Sequence, residues 1–477
     1  MEITRRHLLG GIAALGASGA LPESAFSQPR EAPRLRIPWS RFAEGPHLGA
    51  FKAAFTRLRT NKDRRDPDSI LYWAEAHYRD CPHGEPYFLA WHRSFLGLFE
   101  EKLRELGGSP GLTLPYWDYY SGATIPGDFT DGDAPTNPLF MKRVKLDVSE
   151  ALGSAAFDDS LTRFERDLSG RHRASFEAEI EQSPHNQVHS LIGEIMSSYH
   201  SPEDPVFWLH HCNIDRLWSA WVAAGGGRTM PAAASSYWAG RFDHGPLVGG
   251  LKSATIDTVS RFGYDYDDTR LPTRAERRAP ARPRAKSVVP GTPLRARRGF
   301  TAVGRSTPLV LGENSFSVNL PLAPPPAARR AALAAGFQQR DEPAAAAGAA
   351  TYDVVLDDVT FTEKGKRGGY FYDIYVNLPA VAGGPKRRHR VGSIAPFSVA
   401  TGAAHASHGE AAADAAEGKS GAVRLVFPAT TALRGVALSR HRQVSVSFVR
   451  AGGKDGPSGP VMEVGDFRIE SAAAVET

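Results

Sequence analysis

Six histidines, set in two groups of three among apolar residues at helical spacing, restrict this chain more than any other feature of its sequence. His77, His83 and His92 form the first group. His92 shares a stripe with Phe88, Phe95, Phe99 and Leu103, and that recurrence predicts an amphipathic helix with His92 on its core face. Pro86 suits the first turn of this helix. In the second group His185 and His189 are four residues apart, so both imidazoles fall on one helical face, which Ile192 and Met196 continue. Asp204-Pro205 then reads as an N-cap and a first helical residue. The helix they open carries the stripe Phe207, His211, Ile214, Trp218 and Trp221, apolar but for His211. His210 lies about 100° away around the same helix.

A buried imidazole needs a partner for each ring nitrogen. One such histidine is satisfied by a hydrogen bond, but six facing inward with few nearby carboxylates call for something they can share. A metal ion fills one nitrogen of each ring at once. Histidine alone, without cysteine clusters or grouped acids, suits copper or zinc. A single zinc takes three or four protein ligands, so two groups of three imply two metals. His185-Asn186-Gln187-Val188-His189 lacks the general-base glutamate of a zinc protease helix.

The rest of the chain frames this centre. Residues 1–27 carry Arg5-Arg6, a short Gly/Ala-rich apolar run and Ala25-Phe26-Ser27, the pattern of a twin-arginine export signal; the run is shorter than the ~20 residues of a membrane span. That pattern predicts export to the periplasm or beyond, with no stable membrane association. Residues 30–270 are aromatic-rich with helical periodicity. Residues 271–300 turn to Pro, Arg and Ala and read as an exposed linker. Residues 301–477 switch to a period of two, as in Ser315–Leu320, Tyr352–Leu356, Tyr370–Val376 and Val444–Val449, interrupted by a Pro/Ala-rich loop at 323–350. Such alternation predicts an antiparallel β-sandwich. The expected architecture is therefore multidomain, a mainly α four-helix bundle holding the metals followed by a β-sandwich. Two cysteines in 477 residues exclude a disulfide-stapled scaffold, and a net charge of +5 gives no footing for nucleic-acid binding. The run Lys386-Arg387-Arg388-His389-Arg390 reads as a solvated loop.

Pro82-His83 with Phe88-Leu89-Ala90-Trp91-His92-Arg93, and Asp204-Pro205-Val206-Phe207-Trp208-Leu209-His210-His211 with Asp215-Arg216-Leu217-Trp218, resemble the tyrosinase and catechol oxidase family of type 3 copper proteins. The resemblance spans about residues 40–225 and implies two copper ions. It assigns His77, His83 and His92 to copper A, and His185, His189 and His211 to copper B, with His210 lining the substrate mouth. It also implies small phenolic substrates and O2 as co-substrate: o-hydroxylation of monophenols, then oxidation of o-diphenols to o-quinones. Dioxygen is a triplet that reacts slowly with closed-shell phenols, and a cuprous pair held by neutral imidazoles can deliver two electrons with no thiolate ligand to lose.

Further expectations come with that resemblance. A phenol at a pKa of ~10 must lose a proton before it binds copper. In the family a glutamate and an asparagine around the first copper B histidine hold the water that takes it, and Glu181 and Asn186 occupy those places here. Ser198 stands where the family has a gate over copper A, and a small gate implies room for bulky phenols. Cys81, two residues before His83, implies a thioether to that imidazole; a Cys81–Cys212 disulfide and two free thiols stay open as readings. Tyr372-Asp373-Ile374-Tyr375-Val376-Asn377 is similar to a strand in the C-terminal domain of plant polyphenol oxidases, which covers the site and keeps a proenzyme latent. A catechol or o-aminophenol oxidase without monophenol activity, and a haemocyanin-like oxygen binder, are the alternatives within the same six-histidine frame.

Overall fold

The computed structural model describes residues 32–166, 174–246, 248–280, 286–288, 301–302, 308–321, 351–378, 387–401, 422–433 and 443–472. The expected export signal at 1–27, the loop at 323–350 and most of the linker after residue 280 lie outside the described residues.

The helical part is built from α1 (Leu48–Thr60), α2 (Ile70–Asp80), α3 (Phe88–Gly107), the short α4 (Phe176–Ile180), α5 (Asn186–Ile192) and α6 (Pro205–Ala223). Local chemistry fixes their ends. The Ser69 hydroxyl accepts the Leu71 N–H at 3.2 Å to cap α2, and Asp204 accepts the Val206 N–H at 2.9 Å to cap α6, with Pro205 in its first turn. α3 starts two residues beyond Pro86, because Tyr87 takes a left-handed φ of 73° and breaks the helical path there. The stripe Phe88, Phe95, Phe99, Leu103 is wholly buried, as are Phe207, Ile214, Trp218 and Trp221 on α6. Each of α2, α3, α5 and α6 carries one histidine of the six, while His83 sits in the α2–α3 loop and His185 in an irregular turn before α5.

Behind the histidines lies a buried charge network. β1 (Arg34–Arg36) pairs in parallel with β2 (Tyr264–Tyr266), placing Arg36 beside Tyr266. The Arg36 Nε donates to Glu100 at 2.8 Å, and Asp215 accepts from Arg93 and from the hydroxyls of Tyr264 at 2.7 Å and Tyr266 at 2.6 Å. Arg93 also lies over the Trp218 ring at 3.4 Å. The network ties strands at both ends of the helical part to α3 and α6. Burial pushes the Asp215 carboxyl up, yet Arg93, Arg36 and the two phenols outweigh it and hold the group below its ordinary range. Its contribution to stability is therefore present above the unfolded carboxylate pKa and lost as the pH falls through the folded one.

Sequence periodicity places strands in the C-terminal part, and the structure forms two separate sheets there. One has the order β7–β6–β9–β4–β3, made of β3 (Lys286–Val288), β4 (Phe316–Pro321), β6 (Phe371–Leu378), β7 (Arg387–Ile394) and β9 (Gln443–Ala451), antiparallel except for the β3–β4 pair. The other joins β5 (Thr351–Phe361), β8 (Val423–Pro428) and β10 (Met462–Ala472), with residues 301–302 and 309–311 also paired to β10. Their inward residues, including Val318, Leu320, Val354, Leu356, Ile374, Val446 and Ile469, share one apolar core, and the Phe448 and Phe467 rings meet across it at 5.4 Å. Within the basic run, Arg387–Arg390 are not a loop but part of the edge strand β7, with Arg388 exposed and Arg390 donating to Asp373 at 2.9 Å, while Lys386 lies outside the described residues. No helix among the described residues is long and apolar enough to cross a membrane.

The sheets dock onto α5. Gly369 N–H donates to the Ser190 carbonyl at 2.7 Å, Gln187 reaches Asp373 at 3.2 Å, and Glu194 N–H donates to the Arg367 carbonyl at 2.7 Å. Gly368 has a φ of 76°, and a Cβ there would lie 2.7 Å from the Ser190 carbonyl oxygen and 2.8 Å from the Gly193 Cα, so only glycine admits this approach.

Replacing Asp215 with Asn removes the carboxylate paired with the buried Arg93 and one of the two paired with Arg36. The expected loss is about 3–5 kcal/mol of unfolding free energy, read as a lowered urea midpoint.

Candidate metal centre

Each histidine is held by an element whose local structure aims it. The His77 Nδ1 donates to the Tyr199 carbonyl at 2.6 Å, His92 Nδ1 to the Phe88 carbonyl at 2.8 Å, and His189 Nδ1 to the Met196 carbonyl at 2.8 Å. His185 Nδ1 donates to the Asn186 side-chain oxygen at 3.0 Å. A carbonyl oxygen only accepts, so in these rings Nδ1 carries the hydrogen and Nε2 is a bare lone pair. The Nε2 atoms then converge. His211 Nε2 lies 3.1 Å from His189 Nε2 and 3.3 Å from His185 Nε2. The donor atoms of His77, Cys81, His83 and His92 lie within 4.8 Å of one another, as do those of His185, His189, His210 and His211. His77 Nε2 is buried with no hydrogen-bond partner.

Burial governs the charge. It holds His92 and His189 down to about 3, and drives His77, His185 and His211 well below the ordinary imidazole range, with the neighbouring rings adding to the effect. The Nε2 lone pairs of His77, His92, His185 and His189 therefore face inward, and a single proton on His211 Nε2 does not satisfy them all. A cation does, and the all-imidazole donor sets fit copper. The two groups face each other: the His92 and His211 rings stack at 4.2 Å and 19°, and His83 lies 5.7 Å from His185.

The other expected residues fall as follows. Glu181 is buried, with Oε1 accepting the Gly84 N–H at 2.7 Å and Oε2 against the Arg166 guanidinium. Asn186 spends its oxygen on His185. His210, expected at the substrate mouth, is fully buried, its ring stacked on His185 at 5.3 Å with Tyr119 at 5.8 Å. The reason is that α6 is buried on every side from Pro205 to Trp218, so this helix has no outward face at that depth. Ser198, expected as a gate, ends a short 3-10 turn and gives its hydroxyl to the Ile195 carbonyl at 2.9 Å. Its sequence neighbours matter more, since the Met196 and Tyr199 carbonyls orient His189 and His77. Cys81 and Cys212 are free, buried thiols, so the disulfide reading is not met; Cys81 Sγ is 3.8 Å from His83 Nε2 and 3.5 Å from His92 Nε2.

Sequence reading missed Phe397. It follows β7 and lies flat on His189 at 4.1 Å and 16°, with His83 at 5.1 Å and His185 at 5.5 Å. Its N–H donates to Ser190 Oγ at 3.1 Å, which fixes the ring over both histidine groups. The one available signal was an aromatic residue in the short segment closing the strand, Ile394-Ala395-Pro396-Phe397.

Two facing groups of three histidines are compatible with a dinuclear copper site. The family model for the common central domain of tyrosinase matches residues 52–151 and 127–224. A tyrosinase of Hahella sp. (strain CCB-MM4) is 28% identical over 211 residues, 34% of this chain and 44% of that protein. Hemocyanin 1 of Megathura crenulata is 30% identical over 230 residues, 41% of this chain and 6% of that protein. The chain thus spans less than half the length of these curated relatives. In fold, a solved latent aurone synthase (polyphenol oxidase) from natural source superposes with a TM-score of 0.51 at 17% identity, covering 94% of this chain and 92% of that one.

His211 contributes to both of the close Nε2 contacts in the second group. A His211→Ala variant is expected to bind one copper fewer per chain than the parent, as measured by metal analysis after dialysis.

Proposed function

We propose that this chain is a dicopper oxidase that uses O2 to hydroxylate monophenols and oxidise o-diphenols to o-quinones, held latent by its own C-terminal domain. The reading rests on one observation above others: six imidazoles in two facing groups beneath an aromatic ring supplied by the β domain. His77, His83 and His92 would hold one copper and His185, His189 and His211 the other, four of them on helices acting as a bundle and His83 and His185 on the segments that lead into two of those helices. Bound there, the copper pair supplies the two electrons that reduce dioxygen and an open position for a phenolate.

The chain's own residues do the rest. Carbonyl acceptors fix the imidazole tautomers and so the direction of every Nε2. Glu181 and Asn186, four and one residues from His185 in opposite directions, are the groups proposed to take and pass the phenol proton. The stacked Phe397 fills the space above His189 that an incoming phenol ring would take. A thioether between Cys81 and His83 remains part of the proposal, since it would stiffen the first site. Export by the twin-arginine route completes the reading, because that route carries proteins already folded.

Reversible oxygen binding is the second reading, favoured by the hemocyanin match over the same region. Oxygen uptake separates the two. In the full chain Phe397→Ala is expected to raise uptake with catechol about tenfold or more, since ~1.4 kcal/mol of lost ring contact is tenfold in an equilibrium. No uptake with tyrosine or catechol, in parent or variant, would leave only oxygen binding. Glu181→Gln is expected to cost monophenol turnover about 10²-fold while diphenol turnover falls far less; equal losses would remove the proton-handling role.

A further inference from the structure

Both oxygens of Glu181 are engaged. Oε1 accepts the Gly84 N–H at 2.7 Å and Oε2 meets the Arg166 guanidinium. Gly84 directly follows His83, so the carboxylate bridges the loop of the first histidine group and the turn that leads to His185. Arg166 is itself held in place. Its backbone N–H donates to Glu177 Oε2 at 3.1 Å, and the other oxygen of Glu177 accepts the Leu89 N–H at 3.3 Å. Glu177 thus fixes the arginine's backbone while Glu181, four residues on, takes its side chain. Arg166 reaches in from the wall of a cleft of about 1530 Å³ that is also lined by Arg274, Arg277, Arg388 and Arg390.

A carboxylate that is to accept a proton needs a free lone pair and enough basicity. A guanidinium on Oε2 takes one lone pair of that oxygen, crowds the approach to the other and lowers the basicity of the group. The groups around Glu181 make Arg166 decisive. Glu177 on α4, Glu85 in the loop after His83, the Cys81 thiol and the Tyr199 phenol all sit near it, and none is cationic at neutral pH. Arg390 on β7 pairs with Asp373 and faces Glu179 instead. Burial pushes the Glu181 carboxyl up, and Arg166 is the main force opposing that rise.

Building on the oxidase reading, we propose that Arg166 is a positioning residue: by pairing with Glu181 it holds that group as an occupied carboxylate and so limits monophenol hydroxylation relative to o-diphenol oxidation. Releasing the guanidinium frees Oε2 and leaves Glu181 among acids alone, a stronger base beside the same histidines.

The test compares the full chain with Arg166→Gln, Arg166→Met, Arg166→Lys and Glu181→Gln. In the metal-free proteins, infrared titration follows the carbonyl stretch of protonated carboxyl groups, and the band lost in Glu181→Gln belongs to Glu181. In Arg166→Gln and Arg166→Met the midpoint of that band is expected to move up by about one pH unit or more, and in Arg166→Lys to stay near the parent value. In the copper-loaded proteins carrying Phe397→Ala, the monophenol-to-diphenol turnover ratio is expected to rise by up to about tenfold in the neutral variants, with the acid limb of the monophenol pH profile displaced upward. An unmoved midpoint together with an unchanged ratio overturns the proposal. The Glu181→Gln arm keeps the two ideas separate. If Glu181→Gln impairs both substrates equally, the proton-handling reading fails; if it is selective while the Arg166 variants match the parent, only the role of Arg166 fails.

Discussion

Facing lone pairs dominate this molecule. His185, His189 and His211 point Nε2 atoms at one another at 3.1 and 3.3 Å inside a pocket that burial keeps unprotonated. One proton on His211 Nε2 satisfies at most part of this set, whereas a bound cation would satisfy every inward lone pair together. The rest of the helical part can be understood as the scaffold for these rings. Carbonyls of Phe88, Met196 and Tyr199 lock the tautomers, and two of those carbonyls come from the irregular segment between α5 and α6. The Arg36–Glu100–Asp215–Arg93 network then anchors α3 and α6, the helices that carry His92 and His211, to strands from both ends of the domain.

The β part contributes to the same centre. It seats glycine backbone on α5 and lays Phe397 across His83, His185 and His189. The ring is placed by Ser190, the residue after His189, so closure of the mouth and orientation of a histidine share one helix. The segment that carries Phe397 is held at its far end as well, where the Thr401 carbonyl accepts the Tyr199 hydroxyl at 3.2 Å.

Much of this was legible in the sequence, and the limits have physical causes. The apolar stripes through His92 and His211 gave the helices and the inward faces, because burial on one face imposes a period near 3.6. The caps at Ser69 and Asp204 act through short-range hydrogen bonds. Four of the strands were visible by alternation. The strand Arg387–Ile394 was not, since an edge strand tolerates charge that elsewhere signals a loop. Helical angle alone also could not tell that α6, with His210 on it, is enclosed on all sides. Phe397 and Arg166 escaped for a common reason: their partners lie far away in sequence or in another layer, and no periodicity encodes a tertiary contact.

The central claim is that the six rings hold two adjacent coppers. Anomalous diffraction from crystals of the copper-loaded full chain tests it most directly. The account predicts two copper peaks, one bonded to Nε2 of His77, His83 and His92 and the other to Nε2 of His185, His189 and His211, both beneath Phe397. A single peak, or copper held by residues outside these groups, would contradict it.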